Sequence, residues 1–446
     1  MPLAASAEIV LQQLRGLPGG EALLGLVAGR DDVELVGGAV RDLLLGREPR
    51  EIDVVVGGQA ASFFEDAALF AEQLGARLNA SSSESGALTS TSEHARFGTA
   101  LVEWDGGRID VATRRVESYP APGALPDVRA GTEQEDLERR DFTVNAIAVR
   151  LGGARRGEVR TVPDALSDLE AGRLRVLHDR SFIEDPTRLL RLARYHARLG
   201  FGVEEGTTKL AGDALAASAL MTVSGARIGA ELRLALGEAN AIATLAAMNE
   251  LGVLSALHPR LRFEQPVLEA TLALLPADGR PDLALLAALV LPLALRAEGD
   301  RSEIGQRAEI VALLDRWDFP AGDRDRVAAA TVAVPRLIEE LPAAERPSRL
   351  RAVATGVPLE GVALAGALGA RESASRWLED TRHIALEITG EDLLAAGLPE
   401  GPEIGRRLEA VLEMRLDGRL ADGREAELQA ALDRATPAEN GASGPA

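Results

Sequence analysis

Two carboxylates, Glu51 and Asp53, are separated by one residue in the run Glu51-Ile52-Asp53-Val54-Val55-Val56. Side chains two residues apart on a strand point to the same side, so we expect these carboxylates to converge on one point. Magnesium prefers oxygen ligands and is usually held by one or two carboxylates together with substrate phosphates. The spacing therefore predicts a Mg²⁺ site, although it would also suit a solvated strand edge.

A pair of glycines precedes these carboxylates in the segment Leu35-Val36-Gly37-Gly38-Ala39-Val40-Arg41-Asp42. The pattern predicts a strand, a turn at Gly37 and Gly38, and a helix that begins directly afterwards. Glycines let the backbone come close to a ligand, and the start of a helix offers unpaired N–H groups to phosphate oxygens. With Arg41 as a charged donor, the unit predicts a nucleoside triphosphate site, whereas the glycines alone would indicate only a tight turn.

A third carboxylate, Asp110, lies in the predicted strand Arg108-Ile109-Asp110-Val111-Ala112-Thr113. If this strand pairs beside the one that carries Asp53, Asp110 joins the same cluster. Taken alone, an exposed strand aspartate is the simpler interpretation.

A helix start further along the chain combines an acceptor with a forked donor. Asp185 suits the N-cap and Pro186 the first helical position, and residues 188, 191, 194, 195 and 198 then share a stripe. Asp185 and Arg188 are three residues apart and can lie side by side. Such a pair complements the Watson–Crick edges of cytosine and adenine but not those of guanine and uracil. The alternative is a capped helix with a basic, solvated face.

The order and spacing of four motifs resemble those of the class II tRNA nucleotidyltransferases and bacterial poly(A) polymerases. They are the Gly-Gly-x-Val-Arg-Asp unit, the carboxylate pair, the block Arg139-Arg140-Asp141-Phe142-Thr143-Val144-Asn145-Ala146, and the block from Glu184 to Tyr195. On its own, the third motif would be a charged helix start with an asparagine cap. The resemblance covers residues 33–201 closely, and Pro163 to Arg175 is similar to the family's hinge segment.

The resemblance implies a role for each motif. Asp185 and Arg188 would select CTP and ATP without a nucleic-acid template. Glu51, Asp53 and Asp110 would be catalytic, with Glu51 and Asp53 as Mg²⁺ ligands. The predicted nucleotide-binding residues are Gly37, Gly38, Arg41, Arg140 as a nucleotide contact, Asp141 and Asn145 near the ribose, Asp185, Arg188, and Arg191 and Arg194 near the base and phosphates.

Two features bear on specificity. The family usually has Asp where this chain has Glu51, which remains a hard oxygen ligand but places its carboxylate one methylene further out. Glu117 to Asp136 corresponds to the family's flexible loop, which the resemblance associates with the switch to A and which is shortened in enzymes that add only CC. Its presence here argues against a CC-only enzyme.

The resemblance implies a template-independent, Mg²⁺-dependent nucleotidyltransferase that adds or repairs the 3′-terminal CCA of tRNA from CTP and ATP. It leaves open an enzyme that adds only the terminal A or makes poly(A) tails. A non-catalytic RNA-binding relative with a decayed metal site is the alternative from another class. The oligomeric state is not indicated.

Hydrophobic periodicity predicts the elements that must position these residues. The predicted helices are 8–28, 39–46, 59–75, 186–199, 207–218, 224–236, 239–250 and 264–274. The predicted strands are 33–36, 52–56, 99–104 and 108–113, the last two forming a hairpin closed by Asp105-Gly106-Gly107. Ala80 to Glu93 is predicted to be a loop.

These elements predict an α+β fold, with a small mixed-sheet nucleotidyltransferase head followed by an all-helical neck, body and tail. The predicted domains are the catalytic head (1–165), a neck with the base-selecting residues (166–236), a tRNA-binding body and tail (237–435), and a disordered end (436–446). Length supports several domains, because 446 residues exceed one compact core.

A net charge of −20 argues against wholesale electrostatic binding of nucleic acid. Seven arginines against three acids between Arg173 and Arg198 predict a local basic face for RNA. The N-terminus lacks the pattern of a signal peptide, and the apolar run Leu283 to Leu295 is interrupted by Pro292 and too short to span a bilayer. Since the chain also has no cysteine, we expect a soluble, cytoplasmic protein with no membrane partner.

Overall fold

A computed structural model of the chain describes residues 3–57, 65–81, 90–94, 98–295 and 302–433. The chain forms two compact units, Met1–Glu231 with Ala247–Leu257, and Leu232–Ala246 with His258–Ala446. Among these described residues, no single helix is long and apolar enough to cross a membrane, although one sharply bent pair, Pro347–Ala354 with Leu359–His383, passes by length and composition alone.

Seven strands of the first unit form a mixed sheet in the order β3-β4-β5-β2-β1-β8-β9. Strands β2 and β5 run parallel, and the other neighbours run antiparallel. Two small ladders, β6 with β7 and β10 with β11, lie outside this sheet. The strands are β1 (Glu34–Val36), β2 (Ile52–Val56), β3 (Ser90–His94), β4 (Thr99–Trp104), β5 (Gly107–Thr113), β6 (Arg115–Ser118), β7 (Asp127–Ala130), β8 (Ile147–Arg150), β9 (Val159–Thr161), β10 (Arg173–Leu174) and β11 (Gly202–Val203).

The rest of the described chain is largely helical. Its α-helices are α1 (Leu3–Gly16), α2 (Gly20–Leu26), α3 (Gly38–Leu44), α4 (Glu65–Ser81), α5 (Glu133–Glu138), α6 (Ala165–Ala171), α7 (Ser181–Glu184), α8 (Thr187–Leu199), α9 (Glu205–Ala216), α10 (Gly225–Leu236), α11 (Ala241–Glu250), α12 (Val253–Leu257), α13 (Gln265–Leu274), α14 (Pro281–Val290), α15 (Glu303–Arg316), α16 (Ala321–Ala343), α17 (Pro347–Ala354), α18 (Leu359–Ala365), α19 (Arg371–Glu379), α20 (Gly390–Ala395), α21 (Pro402–Leu416) and α22 (Arg424–Asp433).

Burial explains the composition of the central elements. Strand β2 lies between β1 and β5, and all its residues except Asp53 are buried, as its nearly continuous run of Val and Ile requires. In the second unit, every residue of α14 from Leu283 to Val290 is buried, which accounts for most of the longest apolar run in the chain. A separate small core joins Ile388, Leu393, Val411 and Ala431.

The predicted fold class is confirmed, and most predicted elements are present. Strands β1, β2, β4 and β5 and helices α8 to α11 and α13 occur within a few residues of their predicted bounds. Asp105 and Gly106 close the hairpin between β4 and β5 as predicted.

Two predictions near the N-terminus are wrong. The single helix 8–28 is divided into α1 and α2, because Pro18 has no N–H donor and Gly19 adopts a left-handed φ of 75°. Within the predicted loop 80–93, β3 pairs with β4 at the edge of the sheet. Its polar side chains gave no hydrophobic period. The start of the predicted helix 59–75 and the tail 436–446 lie outside the described residues.

The neck and the segment before it also contain unpredicted strands. The parallel ladder of β10 and β11 interrupts the predicted all-helical neck. Glu117 to Asp136, predicted to be a loop, contains most of the β6–β7 hairpin and the start of α5. Helix α5 begins with a capping box between Thr132 and Glu135. The block from Arg139 contains a single 3₁₀ turn, Thr143–Asn145, and leads into β8.

Candidate active site

Three carboxylates meet where β2 and β5 lie side by side. Asp53 and Asp110 are direct partners in the parallel ladder, so the strand pairing on which the prediction for Asp110 depended is confirmed. Glu51 lies immediately before β2 rather than on it, because the ladder begins at Ile52. One carboxylate oxygen from each of Glu51, Asp53 and Asp110 lies within 4.8 Å of the other two.

Burial and the convergence of these charges alter the acidity of Asp53. Burial, with smaller contributions from the carboxylates of Asp110 and Glu51, raises the pKa of Asp53 to about 7, although the guanidinium of Arg140 opposes the shift. Three oxygen ligands at this separation suit a hard divalent cation such as Mg²⁺. A cation there would also offset the repulsion between the carboxylates, which adds to the effect of burial on this pKa.

Arg108 is a member of the cluster that sequence reasoning missed. Its Nη2 lies 3.2 Å from Oε1 of Glu51 and 2.9 Å from Oδ2 of Asp110. The signal was present, because Arg108 and Asp110 are two residues apart on one strand and so share a face. The guanidinium therefore pairs with two of the three carboxylates that a metal ion would use.

A cavity of about 500 Å³ opens over the cluster. Its charged lining consists of the three carboxylates and four arginines, Arg108, Arg115, Arg139 and Arg140. A space that offers both cations and metal-type ligands suits a polyanion bound through a divalent ion.

The turn between β1 and α3 packs against this cavity. Gly37 has a φ of 69°, and a Cβ at this position would lie 2.7 Å from Nη1 of Arg140. Arg140 donates to Asp136 at 3.0 Å, while its Nε is buried and has no hydrogen-bond partner among the described residues. A Cβ on Gly38 would lie 3.4 Å from Nη2 of Arg41. Gly37 thus lets the backbone approach a guanidinium that has an unused donor.

Arg41 begins a buried polar chain instead of facing the cavity. Its Nε donates to Asp42 at 2.8 Å, and its Nη1 donates to Oδ1 of Asn145. Nδ2 of Asn145 donates to Asp141 at 2.9 Å, and Nε of Arg191 donates to the same carboxylate at 2.8 Å. These hydrogen bonds thus link α3 to α8. A nucleotide contact by these residues stays a prediction.

Charge pairing fixes the ionisation of Asp141 within these hydrogen-bonded side chains. Burial alone would raise the pKa of Asp141, but Arg191 and the hydrogen bond from Asn145 lower it to about 2. Asp141 is therefore a permanent acceptor at neutral pH.

The arginine stripe of α8 surrounds an aromatic ring. The guanidinium carbons of Arg41, Arg191 and Arg194 lie 5.1 to 5.4 Å from the ring centre of Tyr195. Arg191 and Arg194 also donate to Glu231. The predicted stripe is present, but it packs inside the first unit, where cation–π contacts and ion pairs stabilise it.

The predicted basic face between Arg173 and Arg198 is only partly exposed, and its contact with RNA stays a prediction. Arg188 and Arg194 are buried, whereas the side chains of Arg173 and Arg180 are 47% and 69% exposed. The sequence could show that arginines share a helix face. It could not show that carboxylates of other elements pair with Arg191, Arg194 and Arg198.

Asp185 and Arg188 lie at the start of α8, each with its own partners. Oδ1 of Asp185 accepts from N and Oγ1 of Thr187 and from Nη2 of Arg227. Arg188 donates to Oγ of Ser181 at 3.1 Å and to the carbonyl oxygen of Arg139 at 2.8 Å. The helix begins at Thr187, close to the prediction. A joint contact of this pair with a nucleobase stays a prediction.

Tyr119, whose hydroxyl responds to the charges of Asp185 and Arg188, is a second residue that sequence reasoning missed. Burial and the carboxylate of Glu117 raise the pKa of its hydroxyl; Arg188 opposes this shift, and Asp185 adds a smaller increase. Its hydroxyl donates to Glu117 at 3.1 Å. Tyr119 therefore remains neutral at physiological pH and lies close enough to sense the charges of both predicted base-reading residues.

The chain is similar to several known proteins. Residues 33–175 match the family of Poly A polymerase head domains. The chain is 32% identical over 423 residues to an A-adding tRNA nucleotidyltransferase of Geobacter sulfurreducens, covering 90% of this chain and 45% of that relative. It is 32% identical over 372 residues to a CC-adding tRNA nucleotidyltransferase of Deinococcus radiodurans, covering 80% of this chain and 90% of the relative.

The fold is also similar to that of a solved relative. A solved apo form of a CCA-adding enzyme matches with a TM-score of 0.71 at 30% identity, and the match covers 95% of each chain. The chain spans only 27% to 50% of the length of three A-adding relatives that it matches.

Proposed function

Because the chain belongs to the superfamily of class II tRNA nucleotidyltransferases and poly(A) polymerases, we propose that it adds or repairs the 3′-terminal CCA of tRNA. It uses CTP and ATP as substrates and no nucleic-acid template. The observation that carries this proposal is the meeting of Glu51, Asp53 and Asp110 within 4.8 Å in an arginine-lined cavity.

The proposed reaction joins the primer to the incoming nucleotide. The 3′-hydroxyl oxygen of the RNA forms a bond to the α-phosphorus of CTP or ATP, and the bond from that phosphorus to the bridging oxygen of pyrophosphate breaks. The hydroxyl proton passes to solvent. Each cycle therefore lengthens the RNA by one nucleotide.

Glu51, Asp53 and Asp110 would hold Mg²⁺, since their donors are all hard oxygens and lie within 4.8 Å of one another. When bound, the metal supplies activation of the attacking hydroxyl and stabilisation of charge on the phosphates. Asp53 and Asp110 are fixed by their strand ladder, so they hold their positions without ligand. Glu51 lies outside the ladder, is 50% exposed, and can adjust.

The triphosphate would lie against the turn at Gly37. Arg140 supports this placement, because its buried Nε has no partner among the described residues and its Nη1 borders the turn. Arginine binds phosphate oxygens through several donors at once. Arg140 would thus position the phosphates beside the carboxylates.

Base selection would depend on Asp185 and Arg188. An aspartate oxygen can accept from the exocyclic amine of cytosine or adenine, and a guanidinium can donate to the adjacent ring nitrogen. Uracil and guanine present the reverse pattern, so the same pair would reject them. Both residues are held by surrounding groups in the structure, which supports a preorganised reading site.

We also propose that the predicted domains divide the work. The head (1–165) performs the transfer, the neck (166–236) carries the base-selecting residues, and the body and tail (237–435) bind tRNA. Cytoplasmic location and the use of Mg²⁺ belong to the same proposal.

A second candidate is an enzyme that adds only the terminal A. The likeness to an A-adding enzyme over 423 residues favours it. Three tRNA transcripts, ending before CCA, after C, and after CC, separate the candidates when each is incubated with CTP or ATP alone. The proposal expects CTP to extend the first two transcripts and ATP to extend only the third. Incorporation of ATP onto CC ends, with none of CTP, supports the second candidate.

Isothermal titration of CTP and ATP tests the metal requirement. We expect binding in the presence of Mg²⁺ and at least about tenfold weaker binding in EDTA, because the carboxylates would otherwise face the triphosphate directly. Equal affinity with and without Mg²⁺ would contradict the proposed role of the three carboxylates.

A further inference from the structure

Arg227, on α10, bridges two segments that are far apart in the sequence. Its Nη2 donates to Oδ1 of Asp185 at 2.6 Å, and its Nη1 donates to the carbonyl oxygen of Gly123 at 3.1 Å. The side chains of Arg227 and Asp185 are both mostly buried. A rigid guanidinium fork that is held at both ends has little freedom to rotate.

The two carboxylate oxygens of Asp185 accept unequal numbers of hydrogen bonds. Thr187 donates to Oδ1 through its N–H at 3.1 Å and its hydroxyl at 2.5 Å, and Arg227 donates to the same oxygen. None of the described hydrogen bonds falls on Oδ2. Arg227 is the charged donor of the three and the one that comes from outside the helix start, and hydrogen bonds between charged groups are the stronger kind.

The second anchor of Arg227 is a tightly packed piece of backbone. The N–H of Gly123 donates to the carbonyl oxygen of Glu184 at 3.2 Å. Gly123 has a φ of 69°, and a Cβ there would lie 2.7 and 2.8 Å from the backbone carbon and oxygen of Thr222. Its carbonyl is therefore fixed by close packing on both sides, and it provides a firm support for the fork.

We infer that Arg227 is a positioning residue for base selection, which holds the carboxylate of Asp185 so that Oδ2 remains directed to the nucleobase. This inference deepens the proposed function and rests on it. The terminal torsion of aspartate is broad, so a carboxylate with fewer anchors presents its oxygens over a range of directions. A side chain that distinguishes the exocyclic amine of one base from the carbonyl of another must hold its acceptor oxygen in one direction.

The test compares nucleotide discrimination in Arg227→Ala with that of wild-type protein. For each nucleotide, kcat/KM is measured on the tRNA transcript that wild-type protein extends. We expect the ratio of CTP to UTP to fall by about tenfold, equivalent to about 1.4 kcal/mol. A merely structural role would lower kcat/KM for all nucleotides by one common factor and leave the ratio unchanged, and that result would overturn the inference.

Two further variants keep the test decisive. Arg227→Lys keeps the charge but loses the fork, so its CTP-to-UTP ratio should lie between those of the wild-type and alanine proteins. If the alanine variant does not fold, a wild-type ratio in the lysine variant overturns the inference. Arg15→Ala is the matched control, because this exposed side chain lies on α1, outside the loop 117–136 and outside the predicted nucleotide-binding residues. It should retain the wild-type ratio.

The failure of the inference is distinct from the failure of the proposed function. Wild-type protein that incorporates UTP and GTP as readily as CTP and ATP contradicts the proposed base selection. Wild-type protein that discriminates, together with an Arg227→Ala variant that discriminates equally well, overturns the inference alone.

Discussion

Asp53 carries the most perturbed carboxylate of the candidate site, since it lies half-buried beside two other carboxylates. Its pKa rises from the usual value of 3.8 to about 7 in the folded chain. The folded state therefore holds the proton more tightly than the unfolded state does. Ionisation of Asp53 opposes folding progressively as pH rises from about 4 to about 7, and the cost is constant above that range.

We predict that Asp53→Asn stabilises the metal-free protein at neutral and alkaline pH, because it removes this cost. The gain in the free energy of unfolding should be smaller at pH 5 than at pH 8. Urea unfolding in EDTA at both pH values measures it. A difference between variant and wild type that does not change with pH would contradict the raised pKa.

Arg108 is the second residue whose charge can be tested alone. Its guanidinium pairs with Glu51 and Asp110, so it competes with a divalent cation for the same oxygens. We predict that Arg108→Gln binds Mn²⁺ about threefold more tightly in the absence of nucleotide, on the scale of exposed ion pairs. The signal of free Mn²⁺ in electron paramagnetic resonance measures this affinity directly.

The control for Arg108 is Arg129→Gln, which removes the same charge from outside the cavity lining. Its Mn²⁺ affinity should equal that of the wild type. Unchanged or weaker binding by Arg108→Gln would show that the arginine does not compete with the metal.

Sequence reasoning can identify residues of the site whose partners are close in the sequence, but not those whose partners only the fold brings close. Asp53 and Asp110 could be identified because each lies among the apolar residues that mark a strand. Arg108 was accessible from its two-residue spacing to Asp110, although it was not identified. Arg227 was not accessible, since its partner Asp185 lies 42 residues away and only the fold brings the two together.

At the scale of elements, the turn between β1 and α3 connects the sheet to the predicted phosphate site. We predict that Gly37→Ala destabilises the protein by about 1–3 kcal/mol, because its positive φ is strained for alanine. It should also weaken CTP binding, since the added Cβ would lie 2.7 Å from Nη1 of Arg140 and displace that guanidinium. Urea unfolding and isothermal titration measure the two effects.

Gly46 provides a matched control for this turn. Its φ of 68° is almost the same, but a Cβ there would meet no atom within 4 Å. Gly46→Ala should therefore lose stability and keep its affinity for CTP. Equal CTP affinity in both alanine variants would contradict a role for the Gly37 turn in nucleotide binding.

The elements differ in how far their sequences specify them. Strand β2 and the β4–β5 hairpin have buried apolar residues and a tight turn, and both were predicted correctly. Strand β3 (Ser90–His94) is composed of polar residues at the sheet edge. Strands β6 and β7 are four residues each and expose much of their surface. Their pairing depends on the backbone ladder, which leaves little trace in hydrophobic periodicity.

At the scale of the whole molecule, the order of the family motifs and the Leu- and Ala-rich helices were enough to predict the mixed-sheet head and the helical remainder. They did not predict which face of α8 is solvated. Its arginines pair with Asp141 and Glu231, so burial of that face depends on carboxylates placed by other elements. The charge of −20 had already indicated that any RNA surface must be local.

The central claim is that the carboxylate cluster catalyses CCA addition, and one assay tests it most directly. Wild-type protein and Asp53→Ala are incubated with a tRNA that lacks CCA, with CTP, ATP and Mg²⁺, and the 3′ ends of the products are sequenced. The wild-type product should end in CCA, and the variant should give no extension while retaining its cooperative unfolding. Extension by Asp53→Ala, or an unextended tRNA with folded wild-type protein, would contradict the claim.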